Sequence, residues 1–242
     1  MRSGWKRNFG APNLSRRAED ENVRLKCERT YVVIGRHELT RRHERSETEQ
    51  KNIMAKLEQT DANLSPAQET LRQLWEEHVR YEFSTRNTED TLATMVEDAY
   101  VNHIPVLTGG VGRDELREFY SKRFIPQMPP DTEMTPVSRT IGEDQLVDEM
   151  VFKFTHSIRM DWMLPGVAPT GKRVEVPLVA IVRFREGKLA HEHIYWDQAS
   201  VLAQIGLIDA ATLPVAGVES ARKVLDPTLP ANALMRRADR SQ

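Results

Sequence analysis

Cysteine is almost absent: Cys27 is the only one in 242 residues. A single thiol excludes an intramolecular disulfide and any zinc site built from cysteine pairs. Such sparing use fits a reducing cytoplasm. Long hydrophobic runs are also missing. The longest fall far short of the roughly 20 apolar residues a membrane helix needs, and the basic N-terminus has no apolar core of signal-peptide length. Neither sign of charge dominates. The formal net charge is −2, which gives no bulk argument for nucleic acid or membrane as a partner. No Gly-x-Ser-x-Gly or Gly-x-Cys-x-Gly occurs, so an α/β-hydrolase nucleophile elbow is excluded. Gly109-Gly110 reads as a turn, not a phosphate loop. The expectation is a cytoplasmic, globular protein.

The charge is unevenly spread. Residues 1–53 hold 13 Lys/Arg against 8 Asp/Glu, and residues 54–242 hold 21 against 28. Residues 1–60 are rich in Arg, Glu, Asn, Thr and Ser, with one apolar cluster at Tyr31-Val32-Val33-Ile34. Such a segment buries too little to offset its ordering entropy. It reads as a charged, disordered extension, either a basic tail or the product of a start assigned too early, with Met54 as the true one.

From residue 61 the pattern becomes that of a domain. Ser65-Pro66-Ala67-Gln68 has the form of a capping box with proline at the first helical position. Leu71, Leu74, Trp75, His78, Val79, Glu82 and Phe83 follow at helical spacing. A short second helix after Asn87 carries Leu92, Met95 and Val96. Tyr100–His103 reads as a brief strand, and Asp114 to about Phe124 as a third helix. Beyond Pro126, Pro129 and Pro130 the period switches to two. Met134–Ile141, Gln145–Trp162, Val174–Arg185 and Leu189–Trp196 read as strands, and Asp197-Gln198 opens a helix stopped by Gly206. Residues 209–242, with Pro214, Pro227 and Pro230, read as an irregular tail. Helices first and long strands after indicate an α+β fold with a curved sheet closed by the N-terminal helices. Its interior is a natural small-molecule pocket.

The densest chemistry lies between Gly187 and Gly206. Strand alternation puts His191, His193, Tyr195 and Asp197 on one face. If that face lines an apolar cavity, desolvation raises the carboxyl's pKa and Asp197 can exchange protons with a carbon acid. Asp197 is equally well placed to cap the helix that follows. His193 is the better pocket residue of its pair, and Tyr195 can donate to a substrate oxygen. The spacing of His191 and His193 also suits metal ligation, although nothing tighter supports a metal. His156 follows Phe152 and Phe154 on an apolar face, as a pocket acid–base group or a satisfied core histidine. Asn102 and His103 point to opposite sides of their strand, so only one of them can face a cavity. Trp162 offers a wall.

Three segments resemble one family. They are Tyr100-Val101-Asn102-His103-Ile104-Pro105 with Gly112-Arg113-Asp114-Glu115-Leu116, then Gly166–Val174, then Gly187–Gly206 with its Tyr-Trp-Asp and Gln-Ile-Gly. In this order they resemble the NTF2-like superfamily and, within it, the SnoaL-like polyketide cyclases, over about residues 66–208. The resemblance implies a cone-shaped domain and a homodimer. It implies an acid–base Asp at the end of the last strand, here Asp197, assisted by residues matching Arg183, Asn102 and His103. Arg183 departs from the neutral donor expected there. The implied function is a cofactor-independent enzyme of the cyclase, isomerase or dehydratase type, with no metal, acting on a small apolar or polyketide-like molecule. The alternative is a non-catalytic ligand-binding or dimerisation module on the same fold.

Overall fold

The computed structural model describes residues 64–240. They belong to the second of two compact units, Lys51–Gln242. The expectations for residues 1–60, Cys27 among them, lie outside the described residues. Among the described residues no helix is long and apolar enough to cross a membrane.

Helix α1 spans Pro66–Arg80 and begins with the expected capping box: Gln68 N–H donates to Ser65 Oγ at 3.3 Å, and Ser65 N–H to Gln68 Oε1 at 3.0 Å. It runs on as a π-helical turn, Tyr81–Thr85, which ends at Arg86 in the left-handed conformation. Helix α2, Thr88–Ala93, is capped by the Asn87 side chain. Met95 and Val96, expected on that helix, instead open strand β1, Met95–His103. Thr94 closes the helix, its N–H bonded to Thr91 O, and both residues are buried as the strand begins.

Strand β2, Thr108–Val111, occupies the Gly109-Gly110 segment expected to be a turn. A Cβ at Gly109, which has φ +140°, would collide with the Val101 carbonyl across the ladder. The glycine permits close strand approach, which composition alone does not separate from a turn. Helix α3, Gly112–Glu118, passes through a π-helical turn, Phe119–Phe124, into a single 3₁₀ turn, Ile125–Gln127.

Strands β3 (Glu133–Ile141), β4 (Gln145–Thr155), β5 (Arg173–Arg185) and β6 (Lys188–Trp196) follow. β4 stops seven residues short of the expected Trp162. His156 N–H bonds to Lys172 O, Gly171 N–H to His156 O, and the chain then turns at Met160–Leu164. The six strands form one curved, unclosed sheet in the order β2-β1-β6-β5-β4-β3. All pairs are antiparallel except β1 with β6, which run parallel.

Helix α4, Gln198–Gln204, follows β6. The tail expected to be irregular carries two more short helices, α5 (Glu219–Leu225) and α6 (Ala233–Asp239). Ala221 of α5 is fully buried, and Ser200 Oγ donates to Gly217 O at 2.9 Å, so the tail is tied to the domain. The three prolines break this segment without keeping helices out of the intervals between them.

Candidate active site

Strand parity decides which residues meet inside the sheet. On β6, Ala190, Glu192, Ile194 and Trp196 are buried, as is Leu189 at its start, while His191, His193 and Tyr195 lie on the opposite face. On β1, Val101 and His103 are buried and Asn102 lies on the outer face, paired in register with His193. The polar group expected to line the cavity therefore sits on the outside of the sheet. There the Tyr100, His191 and His193 rings pack together, and His193 Nε2 lies 3.1 Å from Tyr100 Oη. Tyr195 is 40% exposed. Arg183 is on the same outer face and pairs with Asp144 at 2.5 Å.

Asp197 is exposed and does not line the cavity. Its Oδ1 accepts from Ser200 N–H at 3.1 Å as the N-cap of α4, a role that contributes about 1 kcal/mol. His156 is fully buried but away from the cavity lining; Thr170 N–H donates to its Nδ1 at 3.3 Å, and its Nε2 has no partner among the described residues. Of the expected residues, His103 and Trp162 do reach the cavity.

The cavity lies between α1 and the inner face of the sheet. Its atom-free space is about 520 Å³, mouth included, yet the centre of a water-sized molecule can occupy only about 50 Å³ of it. That is room for a few waters. A flat organic ring would enter by displacing them and shifting Met134 or Met150, whose thioether chains repack readily. The walls are aromatic and aliphatic, interrupted by two carboxyl groups, Glu82 and Glu192. Glu82 is delivered by the π-helical turn that prolongs α1. Glu192 is delivered by β6, paired in register with Val101 on one side and Val182 on the other.

Behind the two carboxyls lies His78, fully buried on α1. Its Nε2 is 3.2 Å from Glu82 Oε1 and 3.1 Å from Glu192 Oε1. The other ring nitrogen fixes the tautomer. Thr94 Oγ1 donates to Thr91 O at 2.6 Å and has no second proton, so at 2.6 Å it must accept from His78 Nδ1–H. Nδ1 carries one proton, and Nε2, facing two carboxyl oxygens, carries the other. The ring is an imidazolium. Burial alone would lower its pKa, but Glu192 and Glu82 outweigh this and hold it up to about 10. One cation cannot balance two buried anions. Burial pushes the Glu82 carboxyl up against the attraction of His78, with Glu192 adding repulsion. Tyr120 completes the group, its hydroxyl 3.4 Å from Glu192 Oε1 and held strongly protonated by burial and the two carboxyls.

His103 is the opposite case. Burial lowers its pKa to about 4 against the pull of Glu192, so the ring is neutral. Its Nδ1 lies 3.2 Å from Thr108 O, a carbonyl that can only accept, so the proton sits on Nδ1 and Nε2 is left as an acceptor.

The family model of the SnoaL-like polyketide cyclases matches residues 69–205. The chain belongs to this family. Both cavity carboxyls and His78 fall within the matched span. Among solved structures, the SnoaL-like chain is similar to a SnoaL-like protein from Jannaschia sp. CCS1, at 20% identity over 60% of this chain and 98% of that one, with a TM-score of 0.48. It is also similar to TsrD from Streptomyces laurentii, at 18% identity over 60% and 100%, TM-score 0.47. A third is an NTF2-like protein from Burkholderia pseudomallei K96243, at 17% identity over 57% and 98%, TM-score 0.45. No match is found among curated proteins. The α+β, NTF2-like fold expected from the sequence is the one present.

In this SnoaL-like domain, His78, Glu82 and Glu192 bring their ligand atoms within 4.8 Å of one another, as a metal site would. The hydrogen bonds give a different account of the cluster. His78 Nε2 already faces both carboxyls, and His78 lies behind the cavity wall instead of on it.

Proposed function

We propose that the domain is a cofactor-independent acid–base enzyme acting on a small, largely apolar carbonyl compound, of the cyclase, isomerase or dehydratase type. The observation that carries this reading is the pair of carboxyls at 3.1 and 3.2 Å from one buried imidazolium, on the wall of an apolar cavity. One cation stabilises one carboxylate, and the remaining carboxyl keeps its proton. The site then holds a base and an acid side by side. Glu192 acts as the carboxylate that takes a proton from the carbon next to the carbonyl. Glu82, pushed up by burial, returns a proton to the developing oxyanion, with the Tyr120 hydroxyl as a second donor. His78 touches no substrate; it sets the charge state of the carboxyls. Asp197 has no part in this scheme.

A test needs no knowledge of the natural substrate. The protein is incubated in heavy water with a panel of small cyclic ketones and 1,3-diketones, and exchange of the α-hydrogens is followed by NMR. Exchange well above the buffer rate for at least one member is expected. The buffer rate throughout the panel, together with measurable binding of the same compounds, would favour the second reading, a non-catalytic binding module, for which the narrow interior speaks.

The reading extends to a homodimer joined through the outer face of the sheet, where Tyr100, His191, His193 and the half-exposed Tyr195 present a partly apolar surface. Sedimentation at micromolar concentration should give twice the chain mass, and Tyr195→Glu should shift the species toward monomer. A wild-type monomer at that concentration removes the dimer from the proposal.

A further inference from the structure

The cavity has a second polar feature that the acid–base scheme leaves unused. Trp162 is 2% exposed and lines the cavity, and its indole Nε1–H has no hydrogen-bond partner among the described residues. The other described tryptophans are satisfied: Trp75 Nε1 donates to Asp148 Oδ2 at 2.8 Å, and Trp196 Nε1 to Gln198 Oε1 at 2.7 Å. A buried donor left unpaired is uncommon in folded proteins. Next to it stands His103, its ring centre 5.3 Å from that of Trp162. Its Nδ1–H is committed to the Thr108 carbonyl, and Nε2 remains an acceptor with no partner among the described residues. Thr108 bonds to both residues, to the His103 ring and to the Trp162 backbone. Its carbonyl holds His103, and its hydroxyl donates to Trp162 O at 2.6 Å. An unpaired donor and an acceptor thus stand on neighbouring rings of an apolar wall.

We infer that Trp162 and His103 together bind a hydroxyl group of the ligand, the indole N–H donating to its oxygen while the hydroxyl donates to His103 Nε2. Ring centres 5.3 Å apart are compatible with one oxygen about 2.9 Å from each nitrogen. The pair suits an alcohol, phenol or enol. A ketone oxygen would satisfy Trp162 but leave His103 unmet. A carboxylate would face the lone pair of a neutral imidazole, and His103 stays neutral because burial holds its pKa near 4. Combined with the acid–base reading, on which this step alone rests, the substrate class narrows to hydroxylated carbonyl compounds such as hydroxy-ketones and enolised diketones.

The test compares phenol with toluene and anisole, ring probes that cannot donate, by calorimetric titration of the full chain. Phenol is expected to bind about tenfold or more tightly than either, because a site built for a hydroxyl rejects the analogue lacking it. Trp162→Phe and His103→Phe should each bring phenol to within roughly twofold of toluene, leaving toluene itself unchanged. In the wild type, phenol should also shift the indole N–H resonance that Trp162→Phe removes, a readout that does not depend on the variants folding well. Glu192→Gln should keep the preference. Equal binding of phenol and toluene, no binding of phenol, or a preference that survives Trp162→Phe overturns the inference. A preference lost only in Glu192→Gln also overturns it, since the hydroxyl would then sit on the carboxyls, and the acid–base reading would stand. Hydroxyl preference without α-hydrogen exchange in the ketone panel leaves this inference intact and removes the acid–base reading.

Discussion

Replacing His78 with leucine should destabilise the domain by about 3–5 kcal/mol at pH 6.5–7, the usual cost of removing one partner from a buried ionic group. The side chain lies fully buried between Trp75, 5.7 Å away and stacked, and the carboxyls of Glu82 and Glu192. Leucine keeps the volume but leaves two acids facing each other in an apolar wall with no cation. Adding Glu82→Gln and Glu192→Gln to the His78→Leu background should recover most of the loss, because the penalty comes from uncompensated charge and not from lost packing. Urea titration of the wild type, His78→Leu, Glu82→Gln/Glu192→Gln and the triple variant measures this coupling directly. A His78→Leu cost below about 1 kcal/mol, or no recovery in the triple variant, would mean the cluster is not ionised as described. The pH dependence gives an independent check. The folded-state pKa of His78, about 10, lies above its ordinary 6.5, so its contribution is fully present below pH 6.5 and is lost as pH rises through 10. Glu82, raised from 4.5, acts in the same sense, its part declining as pH rises above 4.5. His103 acts in the opposite sense. Its folded pKa of about 4 lies below 6.5, so its part is present above pH 6.5 and is lost as pH falls through 4. The cost of His78→Leu should therefore shrink between pH 6.5 and 10. His103→Phe should remove stability loss between pH 6.5 and 4 and leave the alkaline side unchanged.

The fold was legible because its signals are local. The capping box at Ser65 and the change of period after Pro130 each act within a few residues, and each appears where the sequence places it. The site depends on parity, and the two faces of β6 offered competing claims. Three ring-bearing polar residues mark one face, whereas the other, with Ala190, Glu192, Ile194 and Trp196, is apolar but for one carboxyl. An isolated acid within an otherwise buried period-two run is the more telling pattern, because burying it requires a partner. The partner was also within view. His78 and Glu82 stand in the same helical stripe as Leu71 and Trp75, four residues apart, at positions where a helix that only packs would carry apolar side chains. What no local rule could supply is the meeting of that stripe with β6, two elements more than 100 residues apart. The π-helical turn at Tyr81–Thr85, which carries Glu82, is a second non-local matter, since nothing in Tyr-Glu-Phe-Ser-Thr demands it.

The two carboxyls should not be equivalent in catalysis, and this asymmetry is the sharpest consequence of the charge balance. Glu192→Gln removes the base. The remaining pair, His78 imidazolium with Glu82 carboxylate, is still neutral overall, so the fold should survive while α-hydrogen exchange falls by about 10²–10⁴-fold, the usual contribution of a positioned base. The loss should appear in kcat with little change in KM, because a Gln in place of Glu192 occupies the same volume against Val101 and Val182. Glu82→Gln instead keeps the base and its imidazolium partner. The amide can still donate a hydrogen bond to the oxyanion but cannot transfer a proton, and Tyr120 remains as a donor. A loss of about 10-fold is expected, roughly the difference between a transferred and a merely shared proton. The part of the fall in rate that follows Glu82 deprotonation, above its ordinary 4.5, should be absent in Glu82→Gln, since the acid that titrates is gone. Larger damage from Glu82→Gln than from Glu192→Gln would reverse the two roles. Equal, small losses from both would mean that neither carboxyl moves the proton, and that the cluster serves only to hold α1 against β6.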